Sequence, residues 1–162
     1  MAGNQGCPIF TNLMVFYKIA KEAYVSMNED INSGRKPKPG GEPGWIITYD
    51  PDQKGFKNAF ITIVFCGVCL ESLLHLLIID RKGIQSFKEY DRKPLEDKIQ
   101  LLGCDDQSII KLCKHFRKIR REIVHEKAHL DFEKCRVAQK EATKAMDLID
   151  KVIAHFKVEM DK

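Results

Sequence analysis

The chain has 162 residues and a formal net charge of +4, from 27 lysines and arginines against 23 aspartates and glutamates. This length is enough to bury one core without disulfides or a metal, so we expect a single domain over residues 1–162. The six cysteines lack the spacing of a secreted disulfide scaffold, and the first residues lack the pattern of a secretory signal. Both features favour a cytoplasmic protein with reduced thiols.

The first predicted elements are an amphipathic helix and a loop. Apolar residues recur at three- and four-residue spacings over about 11–32, which predicts helix 1. Residues 33–44 hold three prolines and five glycines or serines, so the sequence predicts a loop that continues to about residue 50. Within it, the run WIITY at 45–49 predicts one short extended segment, a strap or a small hairpin.

The next helix is the most apolar part of the chain. It is predicted to begin near Asp52 and to end near Ile79, with Glu71 and His75 as its strongly polar side chains after Ala59. Its apolar length would span a bilayer, but a carboxylate near the middle is costly there. We therefore expect a buried core helix and no membrane partner.

Three more helices complete the prediction. A short one is framed by Pro94 and Gly103, a second is capped by Asp105 or Asp106 and reaches about His125, and a long last helix covers about 130–159. The predicted fold class is all-α, an antiparallel bundle of four long helices plus one short helix, with core helices over about 52–159.

The fourth of these helices carries a basic cluster, because residues 111–127 contain seven lysines and arginines against two glutamates. Its solvent-facing stripe is Lys114, Arg117, Lys118, Arg121 and, one turn further, His125. Such local clustering is the feature on which a nucleic-acid interaction would depend.

Arg120 falls inside the apolar stripe of the same helix. A guanidinium turned inward needs a partner, and Glu71 in the apolar helix is the best candidate. The pair is either a structural ion pair at the edge of the core or part of a polar cleft with His125. Positions 120 and 125 point about 140° apart on an ideal helix. A shared site therefore requires the helix to end or distort near 123–125, or a second subunit to complete it.

The short helix at 94–102, the basic helix ending in RREIVH and the long last helix together resemble the HEPN superfamily (higher eukaryotes and prokaryotes nucleotide-binding). Its ribonuclease motif is an arginine, four to six residues and a histidine, matched here by Arg120 and His125. The likeness extends over about 50–156. It implies a homodimer with metal-independent endoribonuclease activity and no cofactor, acting in toxin–antitoxin, phage-defence or RNA-processing systems. RNA and an antitoxin or other protein are the implied partners, and nothing in the resemblance points to DNA specificity.

The resemblance also implies roles for single residues. His125 would exchange a proton during attack of a ribose 2′-hydroxyl on its phosphate, Arg120 would stabilise the phosphate charge, and Glu71 would orient the arginine. The RNA backbone would be held by Lys114, Arg117, Lys118 and Arg121. Arg121 stands where the family usually has a small polar residue, and Lys127 stands where some members carry a tyrosine that is modified by a nucleotide.

Two other interpretations remain open from the residues. The first is a non-catalytic helical module that binds RNA, a nucleotide or a protein through the same cleft. The second is a zinc metalloprotease, because His125, Glu126 and His129 form an H-E-x-x-H pattern with Glu133 or Glu141 as a third ligand. Lys127, a cation between the ligands, counts against zinc.

Overall fold

The structure is a computed structural model that describes residues 12–48, 50–124 and 137–159. Its elements in chain order are α1 (Leu13–Ser33), β1 (Arg35–Pro37), a 3₁₀ turn (Pro39–Gly41), β2 (Trp45–Ile47), α2 (Lys54–Tyr90), α3 (Leu95–Leu101), α4 (Gln107–Val124) and α5 (Ala138–Phe156). The predicted all-α fold is confirmed, with four long helices and one short helix.

Helix α2 lies at the centre of the bundle and contacts each of the other four helices. Phe16 near the start of α1 packs against Phe65, and Asp30 near the end of α1 accepts a hydrogen bond from Asn58, so α1 and α2 are antiparallel. The run of apolar residues in α2 is explained by this position, since a helix packed on several sides has few places for polar side chains.

Helix α5 runs parallel to α2. Cys66 contacts Met146 in the middle of both helices, and Arg81 donates a hydrogen bond to the carbonyl oxygen of Phe156 at their ends. Cys66 and Cys69 are fully buried, as expected for small apolar residues of a core helix. Burial raises the pKa of Cys69 to about 12, so it is a thiol at neutral pH.

Among the described residues, α2 is the one helix long and apolar enough to cross a bilayer, and 56% of its most apolar window is buried inside the protein. Its buried positions include Ile63, Leu70, Leu74 and Ile78, which pack in the common core of the bundle. These contacts agree with the prediction of a core helix.

The predicted end of α2 near Ile79 lies four residues before a break at Gly83 (φ 83, ψ 169), and a second helical stretch that the sequence does not predict follows the break to Tyr90. The rings of His75 and Phe87 lie 5.1 Å apart. Twelve residues of straight helix would separate them by about 18 Å. The chain therefore folds back at Gly83, in a backbone conformation that is essentially restricted to glycine.

The segment between α1 and α2 forms a small antiparallel hairpin, in which Arg35 lies opposite Ile47 and Pro37 lies opposite Trp45. The prediction of a loop without regular structure is therefore wrong at Arg35–Pro37, because pairing with β2 makes this stretch a strand. The extended segment that the sequence predicts is the second strand of this hairpin, and Tyr49 lies outside the described residues.

The starts of α2 and α5 differ in detail from the prediction, whereas the start of α4 agrees with it. Helix α2 begins at Lys54, and the Asp50 carboxylate accepts a hydrogen bond from the backbone N–H of Gly55. Asp106 is the N-terminal cap of α4, as it accepts the N–H of Ser108 at 2.8 Å. For α5 the predicted start at about 130 lies outside the described residues. Val137, which the prediction places in the helix, is extended and 50% exposed.

Candidate functional site

The predicted pair of Arg120 and Glu71 is present in the structure. Nη1 of Arg120 donates to Oε1 of Glu71 at 2.6 Å, and the two side chains are 28% and 42% exposed. An ion pair this accessible contributes at most about 1 kcal/mol to folding, because solvent screens it. Its main effect is to fix the direction of the guanidinium, which sits at the edge of the core and faces a cleft.

Gly67 provides the space for this arginine. It lies one turn before Glu71 in α2, and a Cβ atom at this position would come within 2.6 Å of Nε of Arg120. Glycine in the middle of a helix disfavours folding by about 0.5–1 kcal/mol relative to alanine. The close approach of Arg120 to the α2 backbone gives this unfavourable residue a physical explanation.

The cleft in front of the pair has a volume of about 410 Å³ and lies where α3 and the turn before it approach α2 and α4. Glu71 is the acidic residue in its lining. Its cationic lining residues are Arg92, Lys93, Lys98, Arg117, Arg120 and Arg121. The fold-back at Gly83 and the turn at 91–94 bring the first three of these cations to face the three arginines of α4.

Lys98 is the buried cation of the cleft, with 3% of its surface exposed. Its Nζ lies 2.8 Å from Nε2 of His75 and donates to the carbonyl oxygen of Asp91 at 2.7 Å. Burial lowers the pKa of Lys98, against the opposing effect of the Glu71 and Asp91 carboxylates. Burial and the charge of Lys98 also lower the pKa of His75. This imidazole is therefore neutral at pH 7, and its Nε2 accepts a hydrogen bond from the Lys98 ammonium group.

Arg117 connects the cleft to α3. Its Nη2 donates to Oε1 of Glu96 at 2.8 Å, and the Glu96 carboxylate is buried while Arg117 is half exposed. The other carboxylate oxygen of Glu96 is buried and has no hydrogen-bond partner among the described residues. The pair neutralises Arg117 and joins the two helices that form one side of the cleft.

The remaining cations make no ion pair with any residue that the structure describes. They are Arg92 and Lys93 in the turn before α3 and Arg121 on α4, and all three are exposed. Because like charges within a few ångströms repel one another, a group of unpaired cations around a concave surface is typical of an anion-binding site.

The structure divides the predicted RNA-binding residues into two groups. Arg117 and Arg121 line the cleft, whereas Lys114 and Lys118 are exposed on α4 away from its lining. The predicted catalytic residue His125 lies outside the described residues, as do Glu126 and His129 of the zinc pattern. Of the three predicted catalytic residues, the structure therefore describes Arg120 and Glu71.

The structure also shows the surroundings of Glu141, which the zinc interpretation uses. Glu141, a possible third zinc ligand, is buried and lies 2.5 Å from Nε2 of His115 and 3.1 Å from Nζ of Lys144. Burial would raise the pKa of Glu141, but these hydrogen bonds outweigh it and lower the pKa below its ordinary value. His115, which holds this carboxylate, is half-buried.

Four residues of the site are not apparent from the sequence: Gly67, Arg92, Lys93 and Lys98. The one available signal is the basic pair before Pro94, and such pairs are common on protein surfaces. In chemical terms the cleft can bind phosphate groups through several cations and can orient one guanidinium against a reacting phosphate.

Comparisons with models of protein families, with curated proteins and with solved structures found no match.

Proposed function

We propose that this protein is a metal-independent endoribonuclease of HEPN type that binds RNA in the cationic cleft. The observation that carries the proposal is the position of Arg120, held by Glu71 at the wall of a cleft with five further cations. An arginine fixed in this way can stabilise negative charge on a phosphate without rearranging during the reaction.

The chemistry assigns a role to each residue of the predicted trio. His125 exchanges a proton with the ribose 2′-hydroxyl or the leaving oxygen, because an imidazole titrates near neutral pH. Arg120 stabilises the charge that develops on the phosphate, and Glu71 keeps the guanidinium in place. RNA is the expected substrate because it carries the 2′-hydroxyl that DNA lacks. Attack by this hydroxyl on the neighbouring phosphate needs no metal.

The cellular setting of the proposal follows from the same resemblance. We propose a cytoplasmic homodimer in which two copies of the Arg120–His125 motif meet across one groove. The protein would act as a toxin, a phage-defence nuclease or an RNA-processing component, with an antitoxin or another protein as partner. Light scattering should then give twice the mass of one chain.

The test is cleavage of single-stranded RNA in the presence of EDTA. Since general acid–base catalysis contributes about 10²–10⁴-fold, H125A should lower the rate by at least about 100-fold. R120K should also lower it, because lysine keeps the charge but not the planar fork of donors. His155, exposed on α5, provides the matched control as H155A. Unchanged cleavage by a folded H125A protein would contradict the nuclease proposal.

The second candidate is a non-catalytic module that binds RNA, a nucleotide or a protein in the same cleft. Two observations favour it: Arg120 is already engaged by Glu71, and Arg121 replaces the small polar residue that usually follows the motif arginine. Binding of RNA that leaves the strand intact in the wild-type protein would select this candidate. Activity that requires zinc would instead select the protease interpretation.

A further inference from the structure

Lys98 has one hydrogen-bond donor that the described residues leave unused. An ammonium group has three N–H donors, and those of Lys98 go to His75 and to the Asp91 carbonyl oxygen, with no third acceptor among the described residues. The residue is 97% buried yet contributes to the lining of the cleft. A buried, partly unsatisfied cation is unfavourable unless an anion completes its coordination.

The charge of the cleft exceeds what one RNA backbone linkage would neutralise. Glu71 compensates Arg120 and Glu96 compensates Arg117, which leaves Arg92, Lys93, Lys98 and Arg121 without a carboxylate partner among the described residues. A phosphodiester carries one negative charge, whereas a terminal phosphate carries about 1.5–2 at pH 7. The second kind of group matches this concentration of positive charge better.

The size of the cleft leads to the same ligand. Its volume of about 410 Å³ lies at the lower end of the range of about 300–1,000 Å³ for small-molecule pockets. A pocket of this size takes a single nucleotide and not a length of duplex. Lys98, the buried cation of the lining, would then meet the phosphate of that nucleotide together with the exposed Arg92, Lys93 and Arg121.

We propose that the cleft is a binding site for a terminal phosphate, carried by the end of an RNA strand or by a free nucleotide, with Lys98 as its central donor. The inference rests on the proposed function to the extent that the strand is RNA. It adds a preference for phosphorylated ends, so the protein would distinguish RNA strands with a terminal phosphate from strands without one.

The experiment compares three fluorescent oligonucleotides of one sequence by anisotropy: one with a 5′-phosphate, one with a 3′-phosphate and one with neither. All three carry 2′-O-methyl groups, which block attack by the 2′-hydroxyl. We expect one phosphorylated strand to bind at least about tenfold more tightly, as expected for one charge-assisted contact of about 1.4 kcal/mol or more. Adenosine 5′-monophosphate and inorganic phosphate serve as competitors and show whether a free nucleotide suffices.

The variants separate this site from general RNA binding. K98M should abolish the preference for the phosphorylated strand while unphosphorylated RNA still binds, and K140M, at an exposed lysine of α5, should leave the preference intact. If K98M does not fold, R92A at the exposed rim serves the same purpose and should reduce the preference.

Of three further results, the first and the last would overturn the inference, and the second would overturn the proposed ribonuclease instead. Equal affinity for all three strands, without competition by the mononucleotide, removes the terminal-phosphate site and leaves the proposed RNA binding standing. No binding of any strand, but binding of adenosine monophosphate that K98M abolishes, supports the phosphate site and removes the proposed ribonuclease. No binding of either kind overturns both.

Discussion

A lysine buried to 97% in the lining of a cationic cleft affects folding as well as binding. Burial lowers the pKa of Lys98 below its ordinary value of 10.5. The unfolded chain therefore holds this proton at pH values where the folded chain has begun to release it. Stability rises with pH wherever the unfolded state binds more protons.

The corresponding prediction compares wild type with K98M by urea denaturation between pH 7 and 10. Below the folded pKa, the wild-type protein carries the full unfavourable effect of burying the charge. As pH rises through the folded pKa towards 10.5, this effect is lost, so the stability of wild type should increase relative to K98M. A difference between the two proteins that stays constant with pH would contradict this assignment.

A second prediction at the residue scale concerns Gly67. G67A places a Cβ atom at 2.6 Å from Nε of Arg120, so the flexible arginine must move away from Glu71. A displacement of about 1 Å can reduce catalysis by about 100-fold, and we expect RNA cleavage to fall by about 10- to 100-fold. The melting temperature should change little, because alanine favours the helix.

The control for this change is S72A, a similarly small substitution next to Glu71. Full activity of G67A alongside S72A would mean that the position of Arg120 does not matter for cleavage.

The residues around Arg120 differ in how far the sequence predicts their roles. Arg120 and Glu71 could be paired because each is a charged residue on an apolar helix face. Gly67 could not be assigned, because its role depends on which side chain crosses it.

At the scale of elements, the fold-back at Gly83 positions the turn that supplies Arg92 and Lys93. The conformation at Gly83 (φ 83, ψ 169) is unfavourable for other residues by about 1–3 kcal/mol. We expect G83A to lower the free energy of unfolding by about this amount and to weaken RNA binding, because residues 84–94 must shift. Denaturant unfolding and anisotropy titrations measure the two effects.

Gly40, with φ 82 and ψ 7 in the hairpin, offers a control for substitution at a positive φ. The strain that G40A introduces is smaller than at Gly83, because ψ 7 places Gly40 near the left-handed region, and it lies away from the cleft, so RNA affinity should stay unchanged. If both variants weaken binding equally, the effect comes from strain in general and not from the position of the turn.

The sequence predicts some elements well and others poorly, for physical reasons. Helix α1, the short helix α3 and the cap at Asp106 follow from local signals, since apolar spacing and capping residues act within a few positions. The fold-back at Gly83 and strand β1 depend on contacts with distant residues, namely the ring of His75 and the backbone of β2. Local patterns cannot report such contacts, so the helical stretch after Gly83 and the first strand of the hairpin, at Arg35–Pro37, were not predicted.

For the whole molecule, the all-α class follows from composition and periodicity, and the burial of α2 follows from its uninterrupted apolar run. The cleft is a property of the assembled bundle, because its cations come from the turn before α3, from α3 itself and from α4. The basic stripe of α4 alone suggests a flat ridge of charge. In the assembled protein, two of the four predicted RNA-binding residues, Arg117 and Arg121, instead line a concave site.

The whole-molecule prediction concerns salt. If the strand that ends in the cleft also brings backbone phosphates to its four unpaired cations, the logarithm of the RNA association constant should fall with the logarithm of salt concentration with a slope of up to about −3. R121A should reduce this slope by about 0.7, and K140A should not change it. A slope near zero for wild type would show that the cleft does not hold the RNA backbone.

The hairpin carries the single tryptophan of the chain, Trp45, which is 59% exposed. Its fluorescence therefore reports the state of a two-stranded element outside the common core. Since an isolated hairpin is marginally stable in water, its emission can change with heat or denaturant before the helices unfold. Fluorescence and circular dichroism should then give different transition midpoints, and this difference would not require a folding intermediate of the bundle.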